Sequence, residues 1–341
     1  MLPHKGAAMR DDRGKLRRND QDVTATVQTT DADEVAAEVL RIFQTLFRSA
    51  GADKLERAFL DTGRLYSGRH PRYFPCDTGY HDLQHVLEVT LAMARLMDGY
   101  QRARRDTEAP LTSELFIVGV VAALFHDCGY LRKRTDHHAR HGAEYTTTHV
   151  SRSAAFLRSY ADELGLGPLA QVASALVHYT GYERPAEKIR VSSALKRCLG
   201  QMLGTADIIA QMSDRCYLEK CRDRLYPELV LGRLAAERHG TRAPLPAFAS
   251  GEDLVRKTPG FYETAAMRLD RQLAGAYAYA ARHFGGPNLY LEAMQKNVTY
   301  AQSMARSGSA RLRRRPPNTL VPGVEPCPRD LLQASCDFNR A

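Results

Sequence analysis

The chain has 341 residues, 44% hydrophobic and 26% charged, a balance ordinary for a folded domain with a substantial core. No run of eighteen apolar residues is present, and the opening MLPHKGAAMRDDRGKLRRND has basic residues with no apolar stretch behind them, so neither a membrane span nor a secretory signal is expected and the cytoplasm is the expected location. The net charge of +9 is partly a tail property: from Arg306 onward seven arginines face three acidic residues.

In chain order, residues 1–34 are polar and poor in large apolar side chains, which predicts disorder. Helical periodicity begins at Val35 in VAAEVLRIFQTLFRS, with Gly51 as its expected stop, and a second helix is expected over Asp53–Leu60. A loop rich in Gly, Pro and aromatic residues follows over Gly68–Gly79. Further helices are expected over 81–103, 113–126, 149–164, 168–179, 192–215, 262–283 and 287–305, punctuated by Gly and Pro. The four prolines of 227–260 read as a long irregular connection. No period-two pattern and no internal repeat is present, so the fold class is all-α: one helical catalytic domain over 35–305 and a basic, Pro-containing, disordered tail over 306–341. Nothing resembling a nucleic-acid-binding fold accompanies that tail, so a nucleic-acid partner is not expected. The seven cysteines form no CxxC pair and no zinc-finger spacing, and are read as reduced thiols.

The chemistry-bearing residues fall on the apolar helices. In GYHDLQH, His81 and His85 are four apart and share a helix face, about 6 Å apart along the axis. In ELFIVGVVAALFHDCGY, an almost wholly apolar helix runs into His126 and Asp127, with Gly129 expected to cap it. A buried carboxylate there needs an Arg or Lys partner, a proton or a cation, and the adjacent imidazole makes a cation such as Zn, Mn or Fe attractive. His149 follows His126 by 23 positions, His178 lies 29 further on, and Asp207 another 29. Each is on, or at the edge of, a different helix, and a bundle can bring such residues together in its interior. The polar RTDHHARHG, with His137, His138 and His141, reads as an exposed loop near the mouth of the site.

The order His85, His126-Asp127, Asp207 resembles the H…HD…D signature of the HD superfamily of metal-dependent phosphohydrolases. His81 ahead of His85 is similar to the first metal motif of cyclic-nucleotide phosphodiesterase domains, and His149 and His178 extend the pattern to that of binuclear members. The resemblance covers about residues 77–215, leaving a C-terminal helical extension. It implies a first metal held by His85, His126, Asp127 and Asp207, and a second bridged by Asp127 and bound by His149 and His178. The two divalent ions would be Mn, Fe, Zn or Mg. It also implies His81 as general acid, a nucleotide or other phosphoester as substrate, and Tyr80, Asp82 and Glu88 as partners that orient the imidazoles.

Departures from the pattern are Asp82 where the phosphodiesterases have Asn, Tyr130 where many members have Lys, an absent HDxxH element, and Tyr179 where a paired His would stand. Arg132, Lys133 or Arg134 would then bind substrate phosphate in place of that Lys. Two alternatives share the ligand order: a di-iron oxygenase, and a catalytically silent nucleotide-binding module. Homo-oligomerisation is left open.

Overall fold

The computed structural model describes residues 17–48, 51–104, 110–238, 248–307 and 311–325. Its layout follows from two helices that are buried nearly all round, one of them apolar on every face, and such helices belong at the centre of a bundle. In α4 (Ser113–Phe125) every residue from Leu115 to Phe125 is buried, and the Thr112 hydroxyl accepts from the Leu115 amide at 3.3 Å to cap the first turn. Each Val, Leu, Ile or Phe buried there contributes roughly 1.5–3 kcal/mol. By length and composition Ser113–Tyr130 could cross a membrane, but 89% of it is buried inside the bundle, as in a core helix. In α3 (Leu83–Ala103) burial runs from Gln84 to Tyr100, interrupted at Glu88.

Around this pair lie α1 (Ala32–Phe47), α2 (Ala52–Tyr66), α5 (His149–Glu163), α6 (Ala170–Leu176) and α7 (Ala194–Ser213). The chain continues through α8 (Tyr217–Lys220), one π-helical turn, and α9 (Tyr226–Arg238), α10 (Gly251–Arg271), α11 (Ala278–Phe284) and α12 (Leu289–Ser307). Helix α3 packs against α1, α4, α7 and α11. Its approach to α11 requires Gly99, where a Cβ would stand 1.8 Å from the Tyr279 carbonyl oxygen. Among the described residues no strand forms; two isolated antiparallel bridges, Gln21–Gln28 and Tyr73–Lys133, are the whole of the β structure. The all-α expectation holds.

Several boundaries differ from expectation. Residues 17–31 are folded, although 1–34 was expected to be disordered: buried Asp22 accepts from Arg95 Nη2 at 2.6 Å, and Arg17 Nη1 donates to the Ser213 carbonyl at 3.1 Å. Polar composition hid this, because the segment docks through charge rather than apolar area. Residues 311–325 likewise lie on the protein: Arg314 N donates to Glu219 at 3.1 Å, and Leu312 and Leu320 pack against the core. The remainder of both expected disordered segments (1–16, 308–310 and 326–341) lies outside the described residues.

The expected irregular connection 227–260 is mostly helical. Pro227 follows directly on the π-helical turn Cys221–Leu225 in an unbroken helical run, and Pro259 lies within α10, while 239–247 are outside the description. The expected helix 262–283 is two, broken where Ala274 (φ 54°) and Gly275 (φ 65°) turn left-handed. Of the cysteines, Cys76, Cys128, Cys198, Cys216 and Cys221 are free thiols, and Cys327 and Cys336 are outside the description.

Candidate metal centre

The N-terminus of α3 and the C-terminus of α4 meet at the middle of the bundle. Asp82 is the N-cap of α3, its Oδ1 accepting from the His85 amide at 3.0 Å, which fixes where His85 leaves the helix. His126 is the C-cap of α4, so that residue, rather than Gly129, ends the helix. Here four side chains converge. His85 Nε2 is 3.2 Å from Asp127 Oδ2, 3.4 Å from Asp207 Oδ1 and 3.3 Å from His126 Nε2. His126 Nε2 is 3.2 Å from Asp127 Oδ2 and 3.9 Å from Asp207 Oδ1. The buried group His85, His126 and Asp127 could hold a metal ion, and Asp207 adjoins it.

The ring hydrogen bonds determine which nitrogen each imidazole offers. His126 Nδ1 is 2.7 Å from the Ala123 carbonyl and His149 Nδ1 is 2.7 Å from the Thr146 carbonyl. A carbonyl only accepts, so both rings carry their proton on Nδ1 and keep an Nε2 lone pair. His81 Nδ1 donates to Glu228 Oε2 at 2.6 Å, and His178 Nδ1 donates to Glu183 Oε1 at 3.3 Å. Four rings thus have Nδ1 committed to oxygen, the arrangement that leaves Nε2 as ligand or proton carrier.

Charge points the same way. Burial disfavours a His85 imidazolium, yet the hydrogen bonds it donates to Asp127 and Asp207 push its pKa up to about 10. Burial also opposes ionisation of Asp127, but the imidazoles of His126 and His85 hold it well below the usual carboxylate range. The two carboxylates meet positive charge from His85, a charge that a divalent cation could supply instead, with imidazole and carboxylate donors around it. This donor set fits a metal.

The other expected residues are distributed less tightly. His149, at the start of α5, reaches the second oxygen of Asp127 (Nε2 to Oδ1, 3.7 Å), so that carboxylate faces both ways. Burial lowers the His149 pKa, partly offset by Asp127, which keeps the ring neutral. His178 sits in a 3-10 turn, Val177–Tyr179, and among the described residues its ionic partner is Glu183, not Asp127. His81 stands beside the cluster, with ring centroids 5.8 Å from His85 and 4.4 Å from Tyr130, on which it stacks. Tyr130 also stacks on His149 at 4.3 Å.

Asp207 is held by Gln211 Nε2 at 3.1 Å, and Gln211 Oε1 in turn accepts from the Tyr80 hydroxyl at 3.0 Å. Tyr80 thus supports a ligand indirectly. Asp82 does so as a helix cap. Glu88 serves neither imidazole, since its Oε1 accepts from Thr29 and Gln84. Arg132 is engaged by Asp77 (Nε to Oδ2, 2.8 Å), and Lys133 lines a cavity to which none of the ligand residues contributes.

His141 departs from the expected exposed loop. It is buried, its Nε2 donates to the Asp77 carbonyl at 2.9 Å, and its Nδ1 accepts from Ala143 N at 3.1 Å, so both ring nitrogens are engaged structurally.

Three residues at this site carry no sequence motif. Glu228, buried in α9, holds His81 Nδ1 through one oxygen, and through the other accepts from the Tyr80 amide at 2.6 Å. Burial opposes the charge on Glu183, but the hydrogen bond from His178 and one from its own backbone hold its pKa below the ordinary value. Arg268 of α10 donates from Nη2 to the carbonyls of Tyr179 and Gly181, both at 2.7 Å, pinning the loop that follows His178. The one available signal was a Glu just after Pro227, in a stretch read as irregular. No protein-family model matches the chain, and no curated protein matches it.

Proposed function

We propose that the chain is a metal-dependent phosphohydrolase of HD type, acting on a phosphodiester of the nucleotide class, with two divalent cations and His81 as general acid. The observation that carries this reading is the convergence of His85, His126, Asp127 and Asp207 to within 3.2–3.9 Å beside an imidazole held by its own carboxylate. His85, His126, Asp127 and Asp207 would hold one cation, and Asp127, His149 and His178 the other. When bound, such ions lower the pKa of water and neutralise phosphoryl charge.

The rest is the work of this chain's own groups. Glu228 keeps the proton of His81 on Nδ1 and favours the imidazolium, so the second proton sits on Nε2, which the hydrogen bond to Glu228 leaves unengaged. In hydrolysis water gives up a proton to solvent as its oxygen bonds to phosphorus, the P–O bond to the leaving alkoxide breaks, and His81 Nε2–H passes its proton to the departing oxygen. Tyr130, stacked on both His81 and His149, holds the two rings in fixed relation across the reacting space.

The test is metal analysis of protein purified without added metal, then a screen of cyclic and linear nucleotides with Mn²⁺. Phosphodiester cleavage lost in Asp127→Ala together with the metal, and lost in His81→Ala with the metal retained, is the expected result. Full activity of His81→Ala would remove it as proton donor. Two irons with oxygen consumption, or a bound nucleotide without turnover, would overturn the hydrolase reading.

A further inference from the structure

The turn that follows Asp127 has two sides. One carries Tyr130 against His81 and His149. On the other lies a cavity of about 440 Å³, within the range of small-molecule sites, to whose lining none of the metal-site side chains contributes. Its floor is apolar, made by Leu65, Phe125 and Leu131, all buried. Its wall is aromatic: Phe156 and Tyr160 stack nearly parallel, centroids 5.6 Å apart at 14°, with Tyr73 edge-on to Phe156 at 6.1 Å.

The rim carries both signs, Arg57, Arg72, Lys133 and Arg152 against Asp61 and Glu163, and its cations are not equivalent. Arg57 lies 3.5 Å from Asp61, and Arg152 is directed at the Gly129 and Leu131 carbonyls, at 2.7 and 3.1 Å. Arg72 and Lys133 are exposed, and among the described residues neither has an ion pair. An exposed cation alone is simply solvated. Two of them at the lip of an apolar, aromatic-walled hollow match a ligand with both characters.

We infer that this cavity binds a small organic anion, its ring seated against Phe156 and Tyr160 and its phosphate or carboxylate at Arg72 and Lys133. The ligand would rest on Cys128 and Gly129, directly after the Asp127 carboxylate, and against α5, which His149 opens. It is separate from any substrate at the metal centre and does not depend on the reaction proposed there.

Calorimetric titration of the full chain with phenylphosphonate, whose P–C bond resists hydrolysis, tests the assignment. Expected are saturable binding unchanged by EDTA, affinity lowered at least about tenfold in Arg72→Glu/Lys133→Glu, and a similar loss when neutral benzyl alcohol replaces the anion. The two positions are exposed, so the double variant should fold. Absence of binding, an affinity indifferent to the double variant, or binding abolished by EDTA would each overturn it, the last by placing the anion on the metal centre.

Discussion

The Nδ1–H of His81 points at Glu228 Oε2, 2.6 Å away, and that neighbour sets how tightly the ring keeps its second proton. Burial lowers the proton affinity of His81, and the Glu228 charge and hydrogen bond reverse this, raising the pKa above its ordinary value. An acid must be protonated, so turnover should fall as pH rises through that raised value. Glu228→Gln removes the carboxylate, and the alkaline limb of the kcat–pH profile should move to lower pH with metal content unchanged. At pH 8 the loss should be roughly tenfold, within the scale of general acid catalysis. An unmoved limb would leave Glu228 a purely structural residue. At this scale the sequence was most legible where chemistry is tied to spacing. His85, His126, Asp127 and Asp207 converge as their pattern implied, whereas Glu228 and Glu183 act from outside it and their residue types are common on any surface.

Among elements, the turn Cys128–Tyr130 and helix α5 depend on each other. Gly129 N donates to Ser153 Oγ at 2.8 Å, and a Cβ on Gly129 would stand 2.0 Å from the His149 carbonyl oxygen. Gly129 therefore serves close approach, not the left-handed helix cap expected of it, a distinction that local sequence cannot make because the contact comes from α5. Gly129→Ala should push the start of α5 outward and cost about 1–3 kcal/mol, read by urea unfolding, with fewer metal ions per chain. Arg268→Ala acts at a distance. It orphans the carbonyls of Tyr179 and Gly181, should cost about 2–4 kcal/mol, and should loosen the loop between His178 and Glu183, again measurable as metal stoichiometry. If metal content held while stability fell, the loop would have no part in the centre.

Across the whole molecule, the C-terminal helices are part of the site rather than an appendage, since α9 supplies Glu228 and α10 supplies Arg268. Proline content concealed this, although the helical run continues through Pro227 and α10 runs through Pro259. The N-terminal segment is bound in through a buried polar network. Thr29 and Gln84 donate to Glu88, and Lys220 donates to Gln84 at 3.1 Å and pairs with Asp214. Burial raises the Glu88 pKa to about 7, with Lys220 opposing. A carboxyl raised on folding contributes stability that is fully present below its unfolded value and lost as pH climbs through the folded one. Glu88→Gln should therefore gain on the native protein between pH 5 and pH 8, by on the order of 2 kcal/mol, and parallel stability curves would contradict this.

The two described ends of the chain also meet. Asn19 Nδ2 donates to the Arg315 carbonyl at 3.2 Å, Arg314 reaches the Arg215 carbonyl, and Thr319 donates to Asp82, the residue that caps the helix bearing His85. A force applied between the termini is thus borne first at this clasp, before any helix is loaded. The first thing such tension disturbs is the seat of His85, so the proposed metal binding should weaken under strain well before the bundle itself gives way.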